Sequence, residues 1–328
     1  MAKFTTIKVR CVYIISFFMF AINSCNRKQN DNHDLIFKKY DFKERSVKNK
    51  YVLNDEYDPS VYDLLPVSGD TLVVAKWKGG LSVTTDAGLH WNTMHTKAKQ
   101  YGYVYFKHIM IDDNGVLWGL DSWQGIHEPD YSRISYSFDL GKTWSMPRKF
   151  DTNKFFPLKF YSQPNHPLQV VATDGKVYEA KDDLATNWRF IKYIPELNYT
   201  VNNTIHDGSY FDDNNFKLIE VNNTRGELYE NNNDSWKLVF NSNFITEASG
   251  ICHCDEYIYL VGTNRYYGDS AYYLFKIQEG EVIEKIKTPQ YSAFREAMDI
   301  KCDDKKRLWL YSFRGIWLKQ GKKLYKKY

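Results

Sequence analysis

The sequence predicts an all-β fold: a six-bladed β-propeller of four-stranded antiparallel blades, with seven blades as the alternative count. Three observations carry this. First, a turn signature recurs. Ser137-Phe138-Asp139-Leu140-Gly141-Lys142-Thr143-Trp144 has looser copies in Thr84-x-Asp86-x-Gly88-x-His90-Trp91 and Lys181-x-Asp183-x-Ala185-x-Asn187-Trp188. Their tryptophans stand 53 and 44 residues apart, and a stub, Asn233-Asp234-Ser235-Trp236, follows 48 residues later. One signature every roughly 40–50 residues marks radially repeated sheets. Second, β-branched and aromatic residues alternate between turn clusters, and no helical period appears after residue 25. Third, aromatics make up 17% of the chain, which suits sheets that pack face to face and need wide, flat filler.

The elements follow in chain order. Residues 1–24 carry Lys3, Lys8 and Arg10 and then an apolar run from Cys11 to Ile22 broken by Ser16. That is a positive segment followed by a hydrophobic stretch too short to span a bilayer as a stable helix, the pattern of a signal peptide. It ends in Ile22-Asn23-Ser24-Cys25, which resembles a bacterial lipobox. The resemblance implies acylation at Cys25 and anchorage in the cell envelope, at an outer membrane or the cell surface. Residues 25–58 are polar and read as a solvated tether, although two short apolar runs between 35 and 58 could build a seventh blade.

Residues 59–328 divide into six units: Ser60–His95, Tyr103–Phe150, Pro157–Tyr193, Ile205–Phe240, Gly250–Lys287 and Ala297–Tyr328. Each holds strand runs such as Thr71–Ala75, Leu168–Ala172 and Tyr257–Val261, bounded by turns such as Asp112-Asp113-Asn114-Gly115. The last two units keep the strand rhythm without the turn signature.

The signature itself is mechanical. An aspartate carboxylate accepts backbone N–H groups across a tight turn, glycine takes a positive φ, and tryptophan packs beneath as an apolar plug. It resembles the Asp-box, or BNR repeat, of sialidase-like β-propellers. By that resemblance Asp86, Gly88 and Trp91, then Ser137, Asp139, Gly141, Thr143 and Trp144, then Asp183 and Trp188, are structural. The repeat speaks for fold and is nearly silent on activity.

Propeller topology places these turns on one face and the second-to-third strand loops, with the interblade links, on the other. The second face is the expected binding face. Its loops offer Trp123, His127 and Tyr131, then Tyr266 and Tyr267, then Phe294. Aromatics beside acids and arginines suit stacking on sugar rings or holding a protein partner. The sialidase resemblance implies an alternative, an exo-glycosidase acting on an anionic sugar. An arginine triad drawn from Arg133, Arg265, Arg295 and Arg314 would hold the carboxylate, with Tyr291 and Glu128 or Glu296 completing the chemistry. Against it, the Arg-Ile-Pro tripeptide of the first sialidase blade is absent, since Arg133-Ile134-Ser135 sits in the second unit and lacks the proline. The expectation is a non-catalytic binder of a glycan or an envelope protein.

Charge and cysteines narrow the classes further. The chain has 44 basic and 40 acidic residues, and three of the basic ones lie in the signal segment. A near-neutral mature chain carries no field for nucleic acid. Cys302 can pair with Cys252 or with Cys254, the latter sharing its Cys-Asp-acid context. Cys252-His253-Cys254 is also a conceivable metal donor set, but strand geometry sends its thiols to one face and its imidazole to the other. No cofactor and no metal is expected.

Overall fold

Alternation along single strands decides the architecture. In the computed structural model, Leu72 and Val74 pack toward one neighbouring sheet, whereas Val73 and Ala75, from the same strand, pack toward the other. A strand buried on both faces belongs to a sheet flanked by sheets. The structure describes residues 61–76, 80–94, 97–98, 102–103, 106–123, 131–145, 147–151, 154–161, 167–198, 210–212, 216–221, 225–232, 235–243, 245–263, 271–289 and 298–328. All belong to the compact unit Leu53–Tyr328.

The result is an all-β propeller with four-stranded antiparallel blades, and six such sheets lie among the described residues. The first comprises β1 (Val61–Ser68), β2 (Thr71–Lys76), β3 (Leu81–Thr84) and β4 (Asn92–Met94). A small hairpin follows, β5 (Lys97–Ala98) with β6 (Gly102–Tyr103). The second sheet holds β7 (His108–Ile111), β8 (Leu117–Trp123), β9 (Tyr131–Ser137) and β10 (Arg148–Lys149). The third holds β11 (Pro157–Phe160), β12 (Gln169–Ala172), β13 (Asp174–Ala180) and β14 (Trp188–Asn198). The fourth holds β15 (Tyr210–Asp212), β16 (Phe216–Val221), β17 (Arg225–Asn232) and β18 (Ser235–Ser242). The fifth holds β19 (Glu247–Cys254), β20 (Tyr257–Thr263), β21 (Tyr273–Gln278) and β22 (Glu281–Lys287). The sixth holds β23 (Asp299–Cys302), β24 (Leu308–Ser312), β25 (Gly315–Gln320) and β26 (Lys323–Lys326).

Apolar clusters fill the seams. Phe106, Ile109 and Leu117 meet Val73 and Leu81 between the first two sheets, and Trp118, Leu120 and Ile134 meet Phe160 and Val170 between the next two. Phe216, Leu218 and Leu228 join Ile251 and Phe275, while Val261 and Leu274 join Ile300 and Leu310. The sixth sheet packs on the first through Trp309, Tyr311 and Ile316 against Leu64, Leu72 and Val74. Each buried aliphatic or aromatic side chain contributes about 1.5–3 kcal/mol, so these seams carry the stability.

The tryptophan turns form as local chemistry predicts in the first two sheets. Asp86 Oδ1 accepts the N–H groups of Leu89 and His90, and Thr84 Oγ1 accepts that of Gly88 at 2.9 Å. Asp139 repeats the pattern: its Oδ1 accepts the N–H of Thr143 at 2.8 Å, and Ser137 Oγ accepts the N–H of Gly141 at 2.7 Å. Gly88 and Gly141 have φ of 78° and 92°, the left-handed region that glycine enters without penalty.

The third turn differs from expectation. Its capping carboxylate is Asp182, not Asp183: Asp182 accepts the N–H groups of Leu184, Thr186 and Asn187 and the hydroxyl of Thr186. One additional residue separates this cap from Trp188, so aligning on the tryptophan puts the acid one place too late.

A second corner motif, not anticipated from the sequence, sits at two first-to-second strand turns. Asp112 accepts the N–H groups of Asn114 and Val116 and the indole N–H of Trp118. Asp303 does the same for Lys305, Arg307 and Trp309. The shared signal is Asp-Asp-x-x-x-Leu-Trp, legible as Asp112–Trp118 and Asp303–Trp309.

Cys254 and Cys302 form a disulfide with Cα atoms 5.5 Å apart, tying the first strands of the fifth and sixth sheets. Cys252 remains a thiol. His253 turns the other way, its Nε2 lying 2.6 Å from Glu230 Oε1 of the fourth sheet. The two-residue alternation of β19 thus separates thiols from imidazole, and among the described residues no cluster of metal-ligating side chains forms.

Candidate functional site

Antiparallel strands turn at alternate ends, so β2–β3, β8–β9 and β24–β25 connections open on the face opposite Asp86, Asp139 and Asp182. The β8 and β9 ladder runs from Leu117 opposite Ser137, beside the capped turn, to Trp123 opposite Tyr131 at the far end. This far face is the candidate binding surface.

At its second sheet the face is built on a buried ion pair. Arg133 Nε donates to Asp121 Oδ2 at 3.1 Å, with Arg133 Nη2 on the same oxygen; Asp121 is buried and Arg133 partly so. The pair forms because Asp121 and Arg133 are cross-strand neighbours in the β8–β9 ladder. The guanidinium also lies over the Tyr131 ring, 4.5 Å from its centre. Burial pushes the Asp121 carboxyl up, against the opposing pull of Arg133 and Lys107. Burial likewise pushes the Lys107 ammonium down, with Asp121 acting in the other direction. An arginine so engaged neutralises a carboxylate of its own chain.

At the sixth sheet, Arg314 is exposed in the β24–β25 turn and donates its N–H to Ser312 Oγ at 3.1 Å. Beside it Phe313 is 45% exposed and meets Tyr62 edge-on at 6.3 Å. At the fifth sheet, the loop between β20 and β21 is clamped at its neck by Thr263 Oγ1, which donates to the carbonyl of Ala271 at 2.8 Å. Thr288 Oγ1 donates to the carbonyl of Tyr272, and Tyr272 Oη to Glu247 Oε1. These bonds hold the ends of the aromatic loops on a fixed frame.

The structure therefore places Arg133, Tyr131 and Arg314 on the predicted face, but sets Arg133 in a buried pair. Trp123 lies at the end of β8 with its backbone described. His127, Glu128, Arg265, Tyr266, Tyr267, Tyr291, Phe294, Arg295 and Glu296 lie outside the described residues, as do Cys25 and the residues of the seventh-blade alternative. Sequence reasoning missed Lys107 and the pairing of Asp121 with Arg133. Asp121 stands directly across from Arg133 in a hairpin, a pairing that the hairpin register would have suggested.

No family model matches the chain, and no curated protein matches it. Solved structures with a similar course include YCF48 from Cyanidioschyzon merolae, 15% identical, with a TM-score of 0.43 over 82% of this chain and 85% of that one. A Trypanosoma rangeli sialidase in complex with 2,3-difluorosialic acid is 11% identical, with a TM-score of 0.41 over 80% of this chain and 52% of that one. The Cps50 (Swd1) β-propeller domain from Myceliophteria thermophila is 8% identical, with a TM-score of 0.47 over 78% of this chain and 97% of that one. The propeller assignment stands on this chain's own sheets.

Proposed function

We propose that this protein is a membrane-anchored, non-catalytic, six-bladed propeller that binds a glycan or an envelope protein through the face opposite its Asp-boxes. In this reading the corners at Asp86, Asp139 and Asp182 are Asp-boxes whose acids are used up in capping their own turns. Cys25 is the acylated residue, and residues 25–58 are the tether that lifts the ring from an outer membrane or the cell surface.

One observation carries the choice of binder over enzyme: the Arg133 guanidinium is bound to the buried carboxylate of Asp121. A triad for an anionic sugar needs forks directed at solvent, and with Arg133 withdrawn it would require all three of Arg265, Arg295 and Arg314. The Thr263–Ala271 and Thr288–Tyr272 bonds fix the strand ends from which the aromatic segments leave the fifth sheet.

The test uses the full-length chain. Saturable binding to a glycan panel or to a crosslinked envelope protein, weakened by Trp123→Ala, Tyr266→Ala or Phe294→Ala but retained in Asp86→Ala, supports the proposal. Turnover of a fluorogenic sialoside, lost in Arg265→Ala or Arg295→Ala, overturns it in favour of a sialidase-like exo-glycosidase. Metabolic labelling with an alkyne fatty acid, abolished by Cys25→Ala, tests the anchor separately.

A further inference from the structure

The junction of the sixth, first and second sheets holds two acids that share one phenol. Tyr311 Oη lies 3.1 Å from Asp63 Oδ1 and 2.7 Å from Asp299 Oδ2. Both acids also accept backbone N–H groups. Asp63 accepts the N–H of Leu64 at 2.8 Å and that of Ile109, in the second sheet, at 2.9 Å. Asp299 Oδ1 accepts the N–H of Ile300 at 2.7 Å.

Donor counting gives the consequence. A phenol carries one proton, and ionised carboxylates only accept. With both acids ionised, Tyr311 Oη can donate to one of them, and its contact with the other becomes lone pair against lone pair. A single proton on either acid satisfies both contacts, since that carboxyl donates to the phenol oxygen while the phenol donates to its partner. We propose that Asp63, Tyr311 and Asp299 hold one shared proton, a clasp that fastens the last sheet of the ring to the first in mildly acid medium and loosens when the proton leaves.

The surroundings favour the protonated state. Asp63 and Tyr311 are buried, and burial, with the Asp299 charge adding, pushes the Asp63 carboxyl up to about 6. Lys301 of β23, the N–H of Ile109 and the Tyr311 hydroxyl pull the other way. From β7, His108 Nδ1 lies 3.9 Å from Asp63 Oδ2. The sign follows. A carboxyl whose folded pKa exceeds its unfolded value of 3.8 binds its proton more tightly in the folded state. Its contribution is therefore full below pH 3.8 and lost as the pH rises to about 6. A gap of about two pH units corresponds to roughly a hundredfold in the folding constant.

The experiment is a set of denaturation midpoints for the full-length chain across mildly acid to neutral pH, with Asp63→Asn alongside. Asparagine donates to the phenol and accepts from Ile109 without titrating, and gives up the bond from the Leu64 N–H, which met the replaced oxygen. The variant should lose most of the acid-side gain, so that its midpoint changes little between mildly acid and neutral pH. An unchanged pH slope in a folded Asp63→Asn overturns the clasp. Difference infrared spectra of the unaltered chain decide the matter should the variant not fold. A carboxylic-acid band that disappears with a midpoint near pH 6 is expected, whereas loss of all such bands near pH 4, with the ordinary carboxylates, overturns it.

Discussion

Trp91 and Lys327 stand 236 positions apart, yet the indole N–H of Trp91 donates to the Lys327 carbonyl at 3.1 Å. The same indole meets the Tyr328 ring edge-on at 5.1 Å. A corner of the first sheet thereby holds the end of the last strand, whereas Trp144, in the equivalent corner, bonds inside its own turn to Gly141 O. Trp91→Phe keeps the apolar plug and loses the bond, an expected cost of about 1 kcal/mol. Trp91→Ala should cost about 3 kcal/mol. Urea unfolding of both variants checks the ranking, and a Trp91→Phe variant as stable as the parent would show that the bond to Lys327 contributes nothing.

The third corner distinguishes Asp182 from Asp183. Asp182 caps three N–H groups and a hydroxyl at a partly exposed site, so Asp182→Ala should destabilise by about 1 kcal/mol after allowance for solvent. Asp183→Ala should fall within about 0.5 kcal/mol of the parent. The difference in urea midpoint between the two variants is the measurement.

Breaking the Arg133–Asp121 pair should damage folding more than recognition. Arg133→Ala leaves the Asp121 carboxylate buried without its cation, an expected loss of about 3–5 kcal/mol. Joint replacement, Arg133→Met with Asp121→Leu, should recover most of that stability. Thermal unfolding of single and double variants reads the coupling, and additive losses would contradict it.

Reduction offers a further check. The Cys254–Cys302 bond closes a separation of 48 residues between two sheets. Cys302→Ser should cost about 2–4 kcal/mol, while Cys252→Ser should leave the response to reductant unchanged. Thiol labelling under denaturing conditions should find Cys252 reactive and the other two blocked until reduction.

Acid should act on the corners in the opposite direction from the Asp63 clasp. The His90 backbone N–H, then its ring and the Thr84 hydroxyl, hold the Asp86 carboxyl well below its ordinary value. A depressed folded pKa means stability present above the unfolded value of 3.8 and lost as the pH falls below it. Asp86→Asn should therefore flatten the acid limb of the pH–stability profile and leave the neutral limb alone.

Several features were legible in the sequence because they are local. Strand runs such as Thr71–Ala75 and the corners at Asp86 and Asp139 depend on period-two burial and on bonds spanning four residues or fewer. The boundaries drifted where geometry intervened. The fifth sheet begins at Glu247 and not at Gly250, the second at His108 and not at Tyr103, and the β5–β6 hairpin was unforeseen. The sequence shows Asp112–Gly115 as a turn, but the indole bonds of Asp112 and Asp303 are not legible there, because their tryptophans lie inside strands, where an indole looks like ordinary core.

By itself the sequence determined an all-β repeat, the face that carries the capped turns, and a cysteine left over beside a Cys302 pairing. Only the tertiary structure decided that Cys254 is the partner of Cys302, that Arg133 belongs to Asp121, that Trp91 reaches Lys327, and that Asp63 and Asp299 meet at Tyr311. The physical reason is range. Turn chemistry and side-chain alternation are written within a few consecutive residues, whereas donor and acceptor find each other across sheets only after burial has set which strands lie side by side.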